Sequence, residues 1–492
     1  MTCPIPQISR RAFVGGLASL PILGAGHAWA VPLPAQAWRE DIGLLRDVLE
    51  NLHPGLYRYR TRAQLDAGFE ALARDWQAAP NLASAYLSLS RFLAQLRCGH
   101  SYANFFNQKW VIADQLFAPL PRLPFAFRWL ESHMVVTQNF SPEPRLIPGT
   151  RILSINGQTA PSILAQLMPY ARADGGNDAK RRALLEMRAE DEWDYFDIFY
   201  GLLHGDLQRC DIKAELPSGQ ILSLNLAPLS LAERRAGMAD ATRQPNWAAP
   251  DIPWTFKRIG KTALLTMPGW AIYNSKANWQ GWIEARMDEI CRDGTQALVV
   301  DLRGNEGGLD CGHEIIARLI NAPISGRLFD RRVRFRDAPA QILPHLDTWD
   351  RSFDHLGAKA RDVGNVFYQL PSEEDEQIVP KGRRFAGRVA VITEPMNSSA
   401  TFNFALLMQT HKLGKLVGGP TGGNQRGING GAFYFLRLPQ SGLEVDVPLI
   451  GYFAPTPRPD AGVLPDIAIA PLASDIAKGR DPVLDRALLT VS

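Results

Sequence analysis

Ser398 and Ser399 stand where an apolar, β-branched run, Val389-Ala390-Val391-Ile392-Thr393, hands over to a segment with Phe404, Leu407 and Met408 at helical spacing. A hydroxyl at a strand-to-helix corner can act as a nucleophile. The first N–H groups of the helix have no intrahelical acceptor, and they point at whatever the hydroxyl attacks while the helix dipole favours developing negative charge. Serine also has a plain structural use at this place, as a helix N-cap. The residues alone leave Ser398 and Ser399 equally eligible for either part.

A second stretch offers matching chemistry. Asp301-Leu302-Arg303-Gly304-Asn305-Glu306-Gly307-Gly308 follows the apolar run 297–302 and precedes a helical pattern over 314–321. Glycines there let backbone N–H groups approach a ligand closely, as an oxyanion site or a phosphate cradle requires. Neither Gly-x-Gly-x-x-Gly nor Gly-x-x-x-x-Gly-Lys-Ser/Thr is present, which argues against nucleotide binding. A seryl hydroxyl needs a base, and an imidazole with an ordinary pKa near ~6.5 can serve at neutral pH. Of nine histidines, His411 is about three turns from Ser399 along the same helix, ~18 Å at 1.5 Å per residue, too far to take its proton. His53 falls in a helix break, whereas His100, in Cys98-Gly99-His100-Ser101, and His313, just past the glycine loop, remain candidates.

These groups must be positioned by several elements. Residues 38–98 carry helical periodicity, interrupted at His53-Pro54-Gly55. Ala118-Pro119-Leu120-Pro121 marks a boundary, beyond which come strand-like runs and the hairpin signal Asn156-Gly157. The acidic cluster near 190–194 reads as a solvated helix face rather than a metal site. From Trp254 strands and helices alternate, predicting an α/β core that includes strands at 415–417 and 432–438. Residues 325–385, weakly patterned and rich in Arg and Asp, read as an insertion or lid.

At 492 residues, 46% hydrophobic and 21% charged, the chain has the composition of a globular protein of about three domains at ~150 residues each. Fifty-three basic against 50 acidic residues, a net charge of +3, provide no electrostatic case for nucleic acid or an anionic membrane. Of five cysteines, Cys3 falls in the amino-terminal signal; Cys98, Cys210, Cys291 and Cys311, without Cys-x-x-Cys spacing, are expected to be buried free thiols, with a single disulfide the alternative in an oxidising compartment. Arg10-Arg11, a short apolar run and Ala28-Trp29-Ala30 resemble a twin-arginine export signal. The apolar run is shorter than the ~20 residues of a membrane span, so the mature chain is expected to be periplasmic or secreted, without a span.

Taken together, Asp301 to Gly308, Ser398-Ser399-Ala400, Val417-Gly418-Gly419-Pro420-Thr421-Gly422-Gly423 and Gly462-Val463-Leu464-Pro465-Asp466-Ile467 resemble the tail-specific (C-terminal-processing) serine protease family. The lysine-dependent members carry Pro-Thr-x-Gly-Lys-Gly; Asn424 stands where that lysine would be. Cys98-Gly99-His100-Ser101 and His53-Pro54-Gly55-Leu56-Tyr57 are instead similar to the tricorn-core and retinoid-binding-protein-like branch, with a Ser-His arrangement. The resemblance implies Ser399 as nucleophile, His100 as base, and an oxyanion hole from Ala400 and Gly307 or Gly308. It further implies Ser101 and Asp460 as companions of the histidine, and neither cofactor nor metal.

The implied fold is a ClpP/crotonase-like α/β catalytic core over 253–492, preceded by an amino-terminal helical domain (31–117) carrying His100. A PDZ-like β domain (118–172), similar to such domains in Pro148-Gly149 through Asn156-Gly157, and a linking half-domain (173–252) lie between, after a signal peptide over 1–30. The implied activity is a serine peptidase acting on peptides or proteins. A non-proteolytic ligand- or peptide-binding protein on the same fold, or an esterase using the same residues, are the alternatives.

Overall fold

The computed structural model describes residues 34–188, 193–205, 207–238, 252–273, 275–371 and 377–492. The export signal expected over 1–30, and acidic residues 190–192, lie outside the described residues.

The sheet that carries the serine corner has six strands in the order Ile467–Ala468, Lys415–Gly418, Arg388–Thr393, Ala297–Asp301, Thr262–Thr266, Thr255–Ile259. Every neighbouring pair is parallel except the last, a hairpin. Ala297–Asp301 is buried throughout, as a continuous apolar run demands when helices cover both faces. Val300 and Val391 face the helices Trp279–Arg292, Gly312–Ala317 and Ser399–Thr410, while Val299 and Ala390 face Pro482–Val491. Parallel register pairs Ile392 with Asp301, so the glycine loop and the serine turn leave adjacent strands side by side. Both open at the carboxyl ends of the strands, where α/β sheets bind their ligands.

Much of the described part of 325–385 is sheet. The strands Asp330–Val333, Leu346–Asp347, Arg361–Gly364 and Phe367–Gln369 join Asn429–Arg437 and Glu444–Phe453 in a second, antiparallel six-stranded sheet. The strand expected at 432–438 therefore belongs to this sheet and not to the α/β core. The inserted strands are only two to four residues long, too short for alternation to register in sequence.

A third sheet runs Phe125–Leu130, His133–Asn139, Arg151–Ile155, Cys210–Glu215, Ile221–Leu226. Cys210–Glu215 pairs directly with Arg151–Ile155, so a division at 172/173 falls inside one sheet. The helices Ala35–Leu52, Arg62–Ala78 and Leu82–Ala94 precede it, the second opened by a Thr61–Gln64 capping box. Leu45 and Leu89 of these helices, Phe127 and Ile152 of the third sheet, and Val445 and Val447 of the second share one apolar core.

Candidate active site

The serine corner separates the two hydroxyls that sequence could not. Ser398 is buried at the N-cap, yet its side chain caps nothing; its Oγ lies 3.2 Å from the Glu306 carbonyl and 3.3 Å from that of Met396. Ser399 is half-buried and has φ +53°, a left-handed conformation that costs a non-glycine residue about 1–2 kcal/mol. Backbone strain of this kind persists where the surroundings over-determine it, and strained residues cluster at functional sites.

The surroundings do over-determine it. Asn397 Nδ2 donates to the carbonyls of Leu302 (2.6 Å) and Asn305 (3.0 Å), and Thr401 Oγ1 reaches Asn305 O at 3.0 Å. Glu394 accepts from the Gly304 N–H at 2.6 Å and pairs with Arg188 at 3.1 Å and Arg128 at 3.4 Å. Burial opposes ionisation of Glu394, but the two guanidiniums hold it at about 2. Asp301 and Arg303 pair with each other, and Arg303 also reaches Asp481 at 2.8 Å; they brace the loop.

Gly307 has no room for a side chain, since a Cβ would sit 2.7 Å from Ser398 O, 2.8 Å from Ser399 Cβ and 2.9 Å from the Ala400 nitrogen. Its N–H is committed to Asn305 Oδ1 at 2.9 Å. The N–H groups of Gly308 and Ala400 have no protein acceptor among the described residues.

His100 comes from the turn after the third helix and packs against the second sheet, 5.8 Å from the Phe433 ring and beside Gly430. Arg172 ties this turn to the serine corner. It donates to the Gly99 carbonyl, to Tyr195 Oη at 2.6 Å and to Glu306 at 3.1 Å, and Glu306 is the residue whose carbonyl faces Ser398. Lys180, fully buried, donates to Glu306 at 2.9 Å and to Met396 O at 3.1 Å. Burial works against the Glu306 carboxylate, yet Lys180 and Arg172 hold it at about 2. Burial, reinforced by Arg172 and Lys180 against the pull of Glu306, pushes the His100 imidazole down to about 3, so it rests neutral. Its Nδ1 is buried without a hydrogen-bond partner among the described residues.

Ser101 and Asp460 lie close by but serve other groups. Ser101 Oγ meets His53 Nε2 at 2.8 Å, and His53 Nδ1 accepts the Gly55 N–H at 3.1 Å, which leaves Nε2 as the donor. Asp460 accepts from Gly176 N–H at 2.9 Å and Asn424 Nδ2 at 2.6 Å. Asn424 donates in turn to the Asp174 carbonyl at 3.2 Å, and Asp174 accepts the Gly99 N–H at 2.9 Å. Asp460 thus acts on the turn that bears His100, through Asn424 and Asp174. Burial, only partly offset by the Gly99 N–H, raises Asp174 to about 6. His313 Nε2 is buried without a partner among the described residues, next to Asp310 and Arg327.

Sequence reading missed Arg172, Asp174, Lys180, Asn397 and Glu394. The first three fell in a segment without a motif. Asn397 was legible in principle, as a small polar residue immediately before the serine pair. No group of His, Cys, Asp and Glu arranged to hold a metal ion occurs among the described residues.

Comparison with known proteins agrees with this architecture. The model of peptidase family S41 matches residues 261–469. Among solved structures, mature CPAF complexed with lactacystin aligns with TM-score 0.64 at 15% identity, covering 92% of this chain and 97% of that one. Mature CPAF aligns at TM-score 0.63 and 14% identity over 92% and 96%. At such identity the likeness establishes a shared fold. No curated protein matches the chain in sequence. Residues 261–469, which hold both the glycine loop and the serine corner, are a peptidase family S41 domain, and the chain is a serine peptidase.

Proposed function

We propose that the chain is an exported peptidase in which Ser399 is the nucleophile, His100 the general base, and the Gly308 and Ala400 N–H groups the oxyanion hole. His100 takes the Ser399 proton as Oγ bonds to the peptide carbonyl carbon. The oxyanion is held by the two N–H groups until the C–N bond breaks, and the imidazolium protonates the leaving amine. Water, deprotonated by the same imidazole, then hydrolyses the acyl-enzyme and restores the serine. Gly307 contributes by close approach rather than by its N–H. Ser101 and Asp460 act as positioning residues for the turn that bears His100, and the third sheet is the PDZ-like part of the molecule.

The observation that carries this reading is the left-handed Ser399 set against a glycine loop from the adjacent parallel strand. Ser399→Ala is expected to abolish labelling by a fluorophosphonate probe. His100→Ala should lower kcat on a peptide by at least about 10³. Labelling of the Ser399→Ala protein at the wild-type rate overturns the assignment. Export follows from the signal at residues 1–30: replacing Arg10 and Arg11 by lysine should strand the protein in the cytoplasm, and unchanged periplasmic recovery on fractionation would count against it. No helix among the described residues is long and apolar enough to cross a membrane.

A further inference from the structure

A cavity of about 490 Å³ opens where the end of the first helix meets the second sheet, with none of the catalytic groups in its wall. Arg58, Arg62 and Arg334 line it, against a single carboxylate, Glu50. Glu50 is already engaged, at 3.0 Å from Arg46 Nε and 3.9 Å from Arg62. Arg58 gives one nitrogen to the Tyr452 carbonyl at 3.0 Å. The Nε atoms of Arg58 and Arg334 are both buried without a partner, and neither residue forms an ion pair among the described residues. Unpaired buried guanidinium donors are costly, so a pocket that keeps two of them is built for an anion.

The same wall is aromatic. Arg58 lies 4.5 Å over the Phe453 ring, and Arg334 lies 5.4 Å over Tyr57 and 5.9 Å over Phe367. Stacking holds a guanidinium by its face and leaves its N–H edge for an in-plane acceptor, the geometry a carboxylate satisfies with two oxygens. At the rim, the hairpin between Arg361–Gly364 and Phe367–Gln369 turns through Asn365 (φ +51°) and Val366 (φ +62°). A two-residue turn with both φ positive favours Asn-Gly; valine there is strained. Val366 is nonetheless 61% exposed and lines the cavity. Strained residues cluster at ligand clamps, and this one supplies an apolar lip.

We propose that this cavity binds an organic carboxylate, an anionic group carried on an apolar or aromatic body, at a site separate from the catalytic cleft. Its volume lies within the ~300–1,000 Å³ of small-ligand pockets. The carboxylate can belong to a free acid or to an acidic side chain flanked by apolar residues in a peptide. The inference stands on the cavity alone and not on the catalytic assignment.

Isothermal titration of the full chain, carrying Ser399→Ala so that no peptide is consumed, separates these cases. The probes are 3-phenylpropionate, its neutral amide, and a blocked Phe-Glu-Phe peptide with its Gln counterpart. At least one carboxylate should bind ten-fold or more tightly than its neutral partner, and the tighter of the two identifies the source. Arg334→Gln and Arg58→Gln should each weaken that binding about ten-fold. Where either variant unfolds, Val366→Asp, which sets a carboxylate at the rim, should weaken it in the same direction. Equal binding of acid and neutral analogue, no binding of either carboxylate at millimolar concentration, or full affinity in the folded variants overturns the proposal. Fluorophosphonate labelling of the wild-type chain in parallel reports the catalytic reading independently.

Discussion

Ser399 differs from Ser398 by its backbone and not by its side chain. One hydroxyl faces two carbonyls in a buried place, and the other sits on a left-handed residue at the head of a helix. The residues that fix this difference pair across the chain: Lys180 and Arg172 reach Glu306 over separations of 126 and 134 residues. A lysine in a short helix reads as a surface charge when only its neighbours are visible. His53 is a second case of a role set by its surroundings. Burial, aided by nearby Arg58 and Arg334, pushes it down to about 3, so the unfolded chain takes up the proton first as pH falls below the ordinary ~6.5. Its neutral burial therefore costs stability progressively on acidification, about 2 kcal/mol at pH 5 by linkage. Chemical denaturation at pH 7.5 and pH 5 should show His53→Gln losing less stability across that interval than the wild type. An equal loss in both would mean that His53 is already protonated, or fully solvated, in the folded chain.

At the level of elements, the site is a consequence of parallel register. Two neighbouring strands end at Asp301 and Thr393, and their loops interleave because Asn397 and Thr401 donate to carbonyls of the glycine loop. Gly307 fills a place that admits no Cβ and holds φ +101°. Gly307→Ala should displace the serine corner and lower kcat by ~10²–10³, the worth of a misplaced oxyanion donor. The thermal midpoint should fall by a few degrees. Steady-state kinetics and a melting curve on the same preparation test this, and a wild-type kcat in the variant would show that the loop does not position the oxyanion site. These two loops were legible in sequence because a β-branched run, a glycine cluster and a helical period lie next to each other. The short strands between 330 and 369 were not, since a pair of residues carries no period.

At the level of the molecule, the proposed pairing of Ser399 with His100 depends on how distant parts of the chain pack. His100 follows the amino-terminal helices, Ser399 sits in the α/β core, and the second sheet backs the histidine through Gly430 and Phe433. Because one apolar core runs from those helices through the third sheet to Val445 and Val447, these parts are not independent domains. A fragment starting at residue 253 would lack His100 and leave the inner face of the second sheet uncovered. It is expected to bind a hydrophobic dye, melt without a cooperative transition, and take up no fluorophosphonate. Cooperative melting together with probe labelling of that fragment would show that the core assembles its site unaided.

The sequence by itself determined what is local: the α/β alternation, the serine corner, the glycine loop that must approach it, and the histidine motif that resembles one family branch. Apolar runs, helical periods and glycine all act over a few residues, so their pattern can be read along the chain. Only the tertiary structure decided which serine is strained, that the Gly307 N–H is spent on Asn305, and that Asp460 braces a turn instead of meeting the imidazole. It alone brought Lys180, Arg172 and Glu306 together and left the Nε atoms of Arg58 and Arg334 without a partner among the described residues. These outcomes depend on burial and on charges that meet across the fold, and neither quantity exists before the chain is packed.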